Sequence, residues 1–217
     1  MSAELLINVT PSESRVALIE NGILQEVHVE RHTKRGLVGN IYRGKVSRVL
    51  PGMQAAFVDI GLDKAAFLHA SDIVIHNEVV GEVSTSHIEK HDIRDLVRDG
   101  QDIVVQVVKD PIGTKGARLT TDITIPSRYL VFMPSVTHVG VSQRIEDETE
   151  RERLKELVAE FCDEEGGLIL RTAAEGVSQP ELKADAAFLR RLWSKIQQRM
   201  KKRRSHVLYE DLPLARR

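Results

Sequence analysis

Apolar positions recur along the first half of the chain at a spacing of two, and only later at three and four. Leu5–Thr10 is a short apolar run closed by Pro11-Ser12, Arg15–Glu20 follows, and Ile23–Glu30 alternates through Val27 and Val29. Asn21-Gly22 lies between the last two runs, the dipeptide favoured where both central residues of a two-residue hairpin need positive φ. These strands make a meander, which is too small to hold a core of its own. Ile41–Val49 ends at Pro51-Gly52, Met53–Ile60 stops at Gly61, and Ala65–His69 follows Leu62-Asp63-Lys64. The glycines fall between the runs, at corners rather than inside strands. His76–Asp92 is polar and without period, which predicts a long loop. Asp92–Val97 adds a helical turn, and Asp102–Lys109 and Ala117–Thr121 are two further strands joined by turn residues from Asp110 to Gly116.

Beyond Thr124 the period changes. Tyr129–Met133, Gly140–Ile145 and Leu168–Thr172 read as strands. Asp147–Phe161 places Leu154, Leu157, Val158 and Phe161 on one helical face, with Asp147 and Glu150 spaced as a capping box. Ser178, Pro180 and Glu181 open a second helix, whose apolar stripe is Leu182, Ala186, Leu189, Leu192, Trp193 and Ile196. Its end, Arg199 to Arg204, is cationic and suits the helix dipole. The fold class is therefore mixed β with α+β. A β-meander (1–36) precedes a five-stranded antiparallel β-barrel of the OB type (37–123), and an α+β region with two helices (124–217) follows.

Composition narrows the chemistry. The 217 residues carry 31 Lys and Arg against 32 Asp and Glu, so any attraction for phosphate must come from local patches. One cysteine, Cys162, leaves neither a disulfide nor a cysteine-based zinc site within these residues. That suits a reducing cytoplasm, and no run is apolar enough to cross a bilayer. His87 and His91 stand four apart, a weak metal signal alone, and Asp59 and Asp63 do not make an acidic cluster. No catalytic residue and no metal site are expected in the chain.

Two stretches carry recognisable chemistry. Phe57 and Phe67 lie near the centres of consecutive strands, and Tyr42, Arg43, Lys45 and Arg48 occupy the strand before them. Lys115 sits in a turn between two glycines. A strand phenylalanine is usually core and a basic strand face usually just solvated. Together, rings that stack bases and cations that track phosphates point to unpaired nucleic acid. The second stretch is Leu168-Ile169-Leu170-Arg171-Thr172. A guanidinium emerging from a half-buried strand can grip a phosphate through two parallel hydrogen bonds, and Thr172 adds a hydroxyl donor. Neighbours in a strand point to opposite faces, so both reach one phosphate only if the strand bends at Thr172 or if Thr172 contributes its backbone N–H. The competing reading is an ion pair between Arg171 and a nearby carboxylate.

The segments GNIYRGKV, AAFVDIG and AFLHASDI resemble the S1 RNA-binding domain of the ribonuclease E/G family, and the whole chain resembles the N-terminal portion of its members. The resemblance implies that the meander begins an RNase H-like subdomain, that the barrel is the S1 domain, and that a 5′-sensor region follows. It implies base stacking on Phe57 and Phe67 and nucleic-acid contact by Lys115, with Arg43 and Lys45 beside them. It places a 5′-monophosphate sensor at Arg171 and Thr172, lined by Val131 and Ser127, with Arg144 in the flanking strand and Gln143 where some members carry arginine. The implied whole protein is a single-strand-specific endoribonuclease of rRNA maturation and mRNA decay. Its catalytic Mg2+ is held by aspartates, and Zn2+ links the subunits of a homodimer. Both metal sites lie outside these residues, so this chain is expected to bind single-stranded RNA with a 5′ monophosphate without cutting it. The alternative is a stand-alone S1-type RNA-binding module with no nuclease activity.

Overall fold

The computed structural model describes residues 2–74, 91–162, 166–202 and 206–216. The loop expected over His76–Asp92 lies, except for its last two residues, outside the described residues. The chain opens with an antiparallel sheet of β1 (Ala3–Val9), β2 (Glu13–Glu20) and β3 (Ile23–Arg31), with β2 in the middle. Asn21 and Gly22 adopt φ of 50° and 79°, as the two-residue turn requires. Pairing of Leu5 with Leu18 and of Leu6 with Ala17 puts apolar side chains on both faces of this sheet. Leu5, Ile7, Ile23 and Val27 are all more than half exposed.

The barrel is built from β4 (Ile41–Leu50), β5 (Ala55–Asp59), β6 (Ala66–His69), β7 (Asp102–Lys109) and β8 (Arg118–Thr120), with the single turn α1 (Ile93–Leu96) between β6 and β7. The strand order is β4-β5-β6-β8-β7, and pairing of β7 with β4 closes the ring. The pairing of β6 with β8 is parallel, so the barrel is mixed where the sequence suggested all-antiparallel. Five strands in a closed ring cannot alternate direction throughout, and the odd pair falls at this seam. Tyr42, Val46, Val58, Leu68, Val105 and Leu119 fill the interior, with Ile93 and Val97 packed against them.

The remaining residues form a four-stranded sheet under two helices. Its strands are β9 (Ile125–Pro126), β10 (Leu130–Met133), β11 (Val139–Val141) and, after the helix α2 (Glu148–Ala159), β12 (Gly167–Leu170). The order is β11-β12-β10-β9, with α3 (Gln179–Lys201) across one face. Phe132, Leu168 and Leu170 meet Leu154, Val158, Leu182, Ala186 and Leu189 in this core. β11 is shorter than the expected Gly140–Ile145 and leaves Arg144 beyond its end. Asp147 accepts the Thr149 N–H as a helix cap, but Glu150 turns to Arg153 and Gly176, so no capping box forms there. At α3 the carboxylate of Glu181 accepts both the N–H and the hydroxyl of Ser178.

Two connections lock the barrel to this second core. A short strand β13 (Val207–Tyr209) pairs with Ile41 and Tyr42, filling the flank of β4 that β5 leaves open. The Gln106 side chain, 5 % exposed, donates to the carbonyls of Gly39 and Thr124 and accepts the Thr124 N–H. It thereby ties the points where the chain enters and leaves the barrel.

Candidate nucleic-acid interface

The strand register lays out one row across the outside of the barrel. Arg48 is opposite Phe57, Phe57 opposite Phe67, Phe67 beside Arg118, and Arg118 opposite Lys109. Two bulges make this possible. Val46 points into the barrel and pairs with Val58, so strict alternation would turn Arg48 inward too. An extra residue, Ser47, shifts the register between them and turns Arg48 out beside Phe57. The Ser47 hydroxyl fixes the bulge by donating to the Phe57 carbonyl at 3.1 Å. Val108 does the same on β7, turning Lys109 outward next to buried Val107.

Phe57 and Phe67 are half-buried, with centroids 6.2 Å apart at 70°, an edge-to-face pair. His69 continues the platform, 6.4 Å from Phe67 and tilted by 33°. Beside the rings, Arg118 holds Asp72 through two hydrogen bonds of 2.9 and 3.3 Å. Lys115 is exposed at the tip of a hairpin closed by reciprocal backbone bonds with Ile112. The tip is braced by Lys64, which donates to the Gly113 carbonyl at 2.5 Å. Gly116, the next residue, passes so close to Ala65 that a Cβ would lie 2.0 Å from the Ala65 carbonyl oxygen, so the turn that presents Lys115 accepts no side chain there.

The remaining barrel residues singled out from sequence have other surroundings. Tyr42 is buried and its hydroxyl meets Asn40. Lys45 is exposed, flanked in register by Asp59 and Asp102. Arg43 donates to the carbonyls of Met200 and Lys202 at the C-terminus of α3, the end where unpaired carbonyls favour a cation.

The second candidate lies where β12 ends. Leu130, Phe132, Leu168 and Leu170 face the helices, so their strand neighbours Val131 and Ile169, paired in register, line the opposite face. Arg171, two beyond Ile169, follows on that face. Immediately after it the chain leaves the strand for a helical turn over Thr172–Ala174, the bend that two adjacent side chains need if they are to meet one group. Arg171 and Thr172 are both exposed. Among the described residues the Arg171 guanidinium donates to the Ser127 backbone carbonyl and to no carboxylate. The Arg171 N–H donates to the Tyr129 carbonyl at 2.8 Å. Arg144 is exposed in the turn after β11, its N–H donating to the Ser142 hydroxyl at 3.3 Å.

Two carboxylates pin the loops of this site, Asp185, which the sequence reading passed over, and Glu150, which it assigned to a helix cap. Asp185 of α3 accepts from the Ser127 hydroxyl at 2.5 Å and from the N–H groups of Tyr129 and Leu130 at 3.0 and 3.1 Å. Glu150 of α2 accepts the Gly176 N–H at 2.8 Å and pairs with Arg153, which holds its carboxyl down at about 2. A signal for Asp185 was present: it stands at the edge of the stripe Leu182, Ala186, Leu189, with no basic residue three or four positions away. Among the described residues no group of three His, Cys, Asp or Glu is placed to hold a metal ion, and no helix is long and apolar enough to cross a membrane.

Residues 124–217 match the model of the ribonuclease E/G family. The chain is 67 % identical over its whole length to Ribonuclease G of Escherichia coli strain K12, covering 45 % of that protein. It is 67 % identical to Ribonuclease G of Haemophilus influenzae, with 93 % of the chain and 41 % of that protein aligned. Ribonuclease E of Escherichia coli strain K12 is 38 % identical over 88 % of the chain and 18 % of its own length. The chain thus spans less than half the length of the curated relatives it matches.

Proposed function

The chain belongs to the ribonuclease E/G family, and on that premise we propose that it forms the RNA-binding and 5′-end-sensing part of a longer, single-strand-specific endoribonuclease acting in rRNA maturation and mRNA decay. The observation that carries the reading is the row Arg48, Phe57, Phe67, Arg118: two rings side by side on the outer wall of a barrel, with a cation at each end. Bases of a single strand stack on Phe57 and Phe67, while Arg48, Lys115 and Lys45 attract its phosphates. Stacking tolerates any base because every base has a π face, so this wall grips RNA without choosing sequence. Arg118 is half committed to Asp72, and Arg43 serves mainly to tie α3 to the barrel.

The leading end of the strand is read separately. Arg171 offers a fork of N–H donors matched to phosphate oxygens, and the turn beginning at Thr172 brings a hydroxyl and backbone to the same side. Val131 forms the apolar floor, Ser127 the wall, and Arg144 adds positive charge at the rim. A terminal monophosphate has three charged non-bridging oxygens to share among these donors, whereas a 5′ hydroxyl offers one neutral oxygen. Cleavage itself, with the Mg2+, Zn2+ and homodimer implied by the family, is assigned to the longer protein in the cytoplasm.

The test is a titration with one RNA oligonucleotide carrying a 5′ monophosphate, a 5′ triphosphate or a 5′ hydroxyl. The monophosphate form is expected to bind most tightly, and Arg171→Ala to bring it down to the hydroxyl form by about ten-fold, one charge-assisted hydrogen bond's worth. Equal affinity for all three ends would remove the sensor from this reading.

A further inference from the structure

Arg171 does not hold its pose alone. Its guanidinium donates to the Ser127 carbonyl and its N–H to the Tyr129 carbonyl, so both of the bonds it donates run to the turn Ser127-Arg128-Tyr129-Leu130. That turn closes on itself through the Ser127 N–H and the Leu130 carbonyl at 2.8 Å. It is then anchored to α3 by one atom. A single carboxylate oxygen of Asp185 accepts the Ser127 hydroxyl and the N–H groups of Tyr129 and Leu130. The hydroxyl has one proton and lies 2.5 Å from this oxygen against 3.1 Å from the Leu130 carbonyl, so the charged acceptor takes it.

From this chain of contacts we infer that Asp185 is a positioning residue for phosphate recognition. It fixes the turn whose carbonyls aim Arg171, and so sets how strongly the site distinguishes a 5′ phosphate from a 5′ hydroxyl. The inference rests on the reading of Arg171 as the phosphate grip. Asp185 itself stays away from the phosphate, as a carboxylate must, since like charge would repel the ligand. Its negative charge is instead spent on three donors behind the turn, on the α3 side. A neutral amide of the same shape can set its one oxygen where the shared carboxylate oxygen stands, but it lacks the charge that strengthens all three bonds, so the turn is held more loosely. The consequence is confined to the end-reading site, because the stacking row lies on β4, β5, β6 and β8 and shares no hydrogen bond with this turn among those described.

The experiment compares wild type, Asp185→Asn, Arg171→Ala and the double variant, each titrated with the same oligonucleotide bearing a 5′ monophosphate or a 5′ hydroxyl, with melting curves for all four. Asp185→Asn is expected to cut the phosphate preference about ten-fold, as loss of one charge-assisted bond would, while affinity for the hydroxyl form stays as in wild type. The double variant is expected to match Arg171→Ala, because the two residues act through one path. A wild type with no preference would sink the sensor reading itself. A wild-type preference that Arg171→Ala removes and Asp185→Asn keeps would overturn only the role of Asp185. An equal loss of affinity for both RNAs would also overturn it, because that marks general damage. Should Asp185→Asn melt below the assay temperature, Ser127→Ala decides. It removes the hydroxyl and keeps both amide anchors, so a partial loss of preference is expected and an unchanged preference overturns the inference.

Discussion

Phe67 meets Phe57 edge to face, Arg118 beside it and His69 beyond, yet its ring is only half-buried. A phenylalanine sealed in a core costs about 3–5 kcal/mol when cut to alanine. A ring with one face open has fewer packing partners to lose, and a base stacked on that face adds about 1–3 kcal/mol of binding. Phe67→Ala is therefore expected to weaken single-stranded RNA binding by about 1–3 kcal/mol while lowering stability by less than a core truncation does. Titration and melting of the same variant check this. A large drop in melting temperature with unchanged affinity in the folded fraction would make the ring a core residue. The neighbouring arginines show how far residue type alone can go. Arg43 and Arg48 stand on one strand five residues apart, and nothing local separates them. One caps α3 because β13 brings that helix end to β4, and the other reaches the rings because Ser47 bulges. Both causes are non-local.

Elements behave similarly. Most of the strands, the two long helices and the Asn21-Gly22 turn were legible because their signals are periodic or confined to a few adjacent residues; the two-residue β9 was not. The bend at Thr172 was legible as one of two ways in which Arg171 and Thr172 could face one group, the other being the Thr172 backbone N–H, and the chain does turn there. The parallel seam between β6 and β8 was not, because it depends on five strands closing into a ring. Nor was β13, whose three residues carry no alternation and pair with a strand more than 160 positions earlier. The helix α2 was placed correctly, but Glu150 was misassigned: its first-turn position suits a cap, while the fold brings Gly176 and Arg153 within reach instead. This has a pH consequence. Arg153 and the Gly176 N–H hold the Glu150 carboxyl at about 2, below its ordinary value near 4.5. A depressed carboxyl contributes stability that is fully present above the unfolded value and disappears as pH falls toward the folded one. Wild type is thus expected to lose stability between pH 4.5 and 2 more steeply than Glu150→Gln, the two converging at the acid end. Arg153 is 40 % exposed, so solvent screens the pair and the difference should be small. Denaturant melts across that range measure it, and parallel curves would refute the pairing as a source of acid sensitivity.

At the scale of the molecule, stability is unevenly distributed. The barrel and the sheet under α2 and α3 have separate cores, joined by Ile41, which leaves the barrel wall to pack among the residues of the second core, and by the buried Gln106 clasp. On the reading proposed above the joint bears on binding, because an RNA strand gripped at two places gains most when their separation matches the RNA that spans them. Among the described residues the β1–β3 sheet is joined less firmly, through contacts such as the Glu30 carboxylate, which accepts the Leu214 N–H. Its apolar side chains line both faces, most of them stay open to water, and the turn over Leu214–Arg216 packs against only part of β2 and β3. Backbone hydrogen bonds alone hold a three-stranded sheet weakly in water. Its amides are therefore expected to exchange with solvent through local opening, well before those of β4, β5 and β7, which open only when the barrel unfolds. Hydrogen exchange followed by mass spectrometry resolves the two sets. Protection in β1–β3 equal to that of the barrel would mean that this sheet is covered, and two copies of the chain meeting through their exposed leucines and valines would then have to explain it. In that case protection should fall on dilution, whereas a sheet stable by itself would exchange at one rate whatever the concentration.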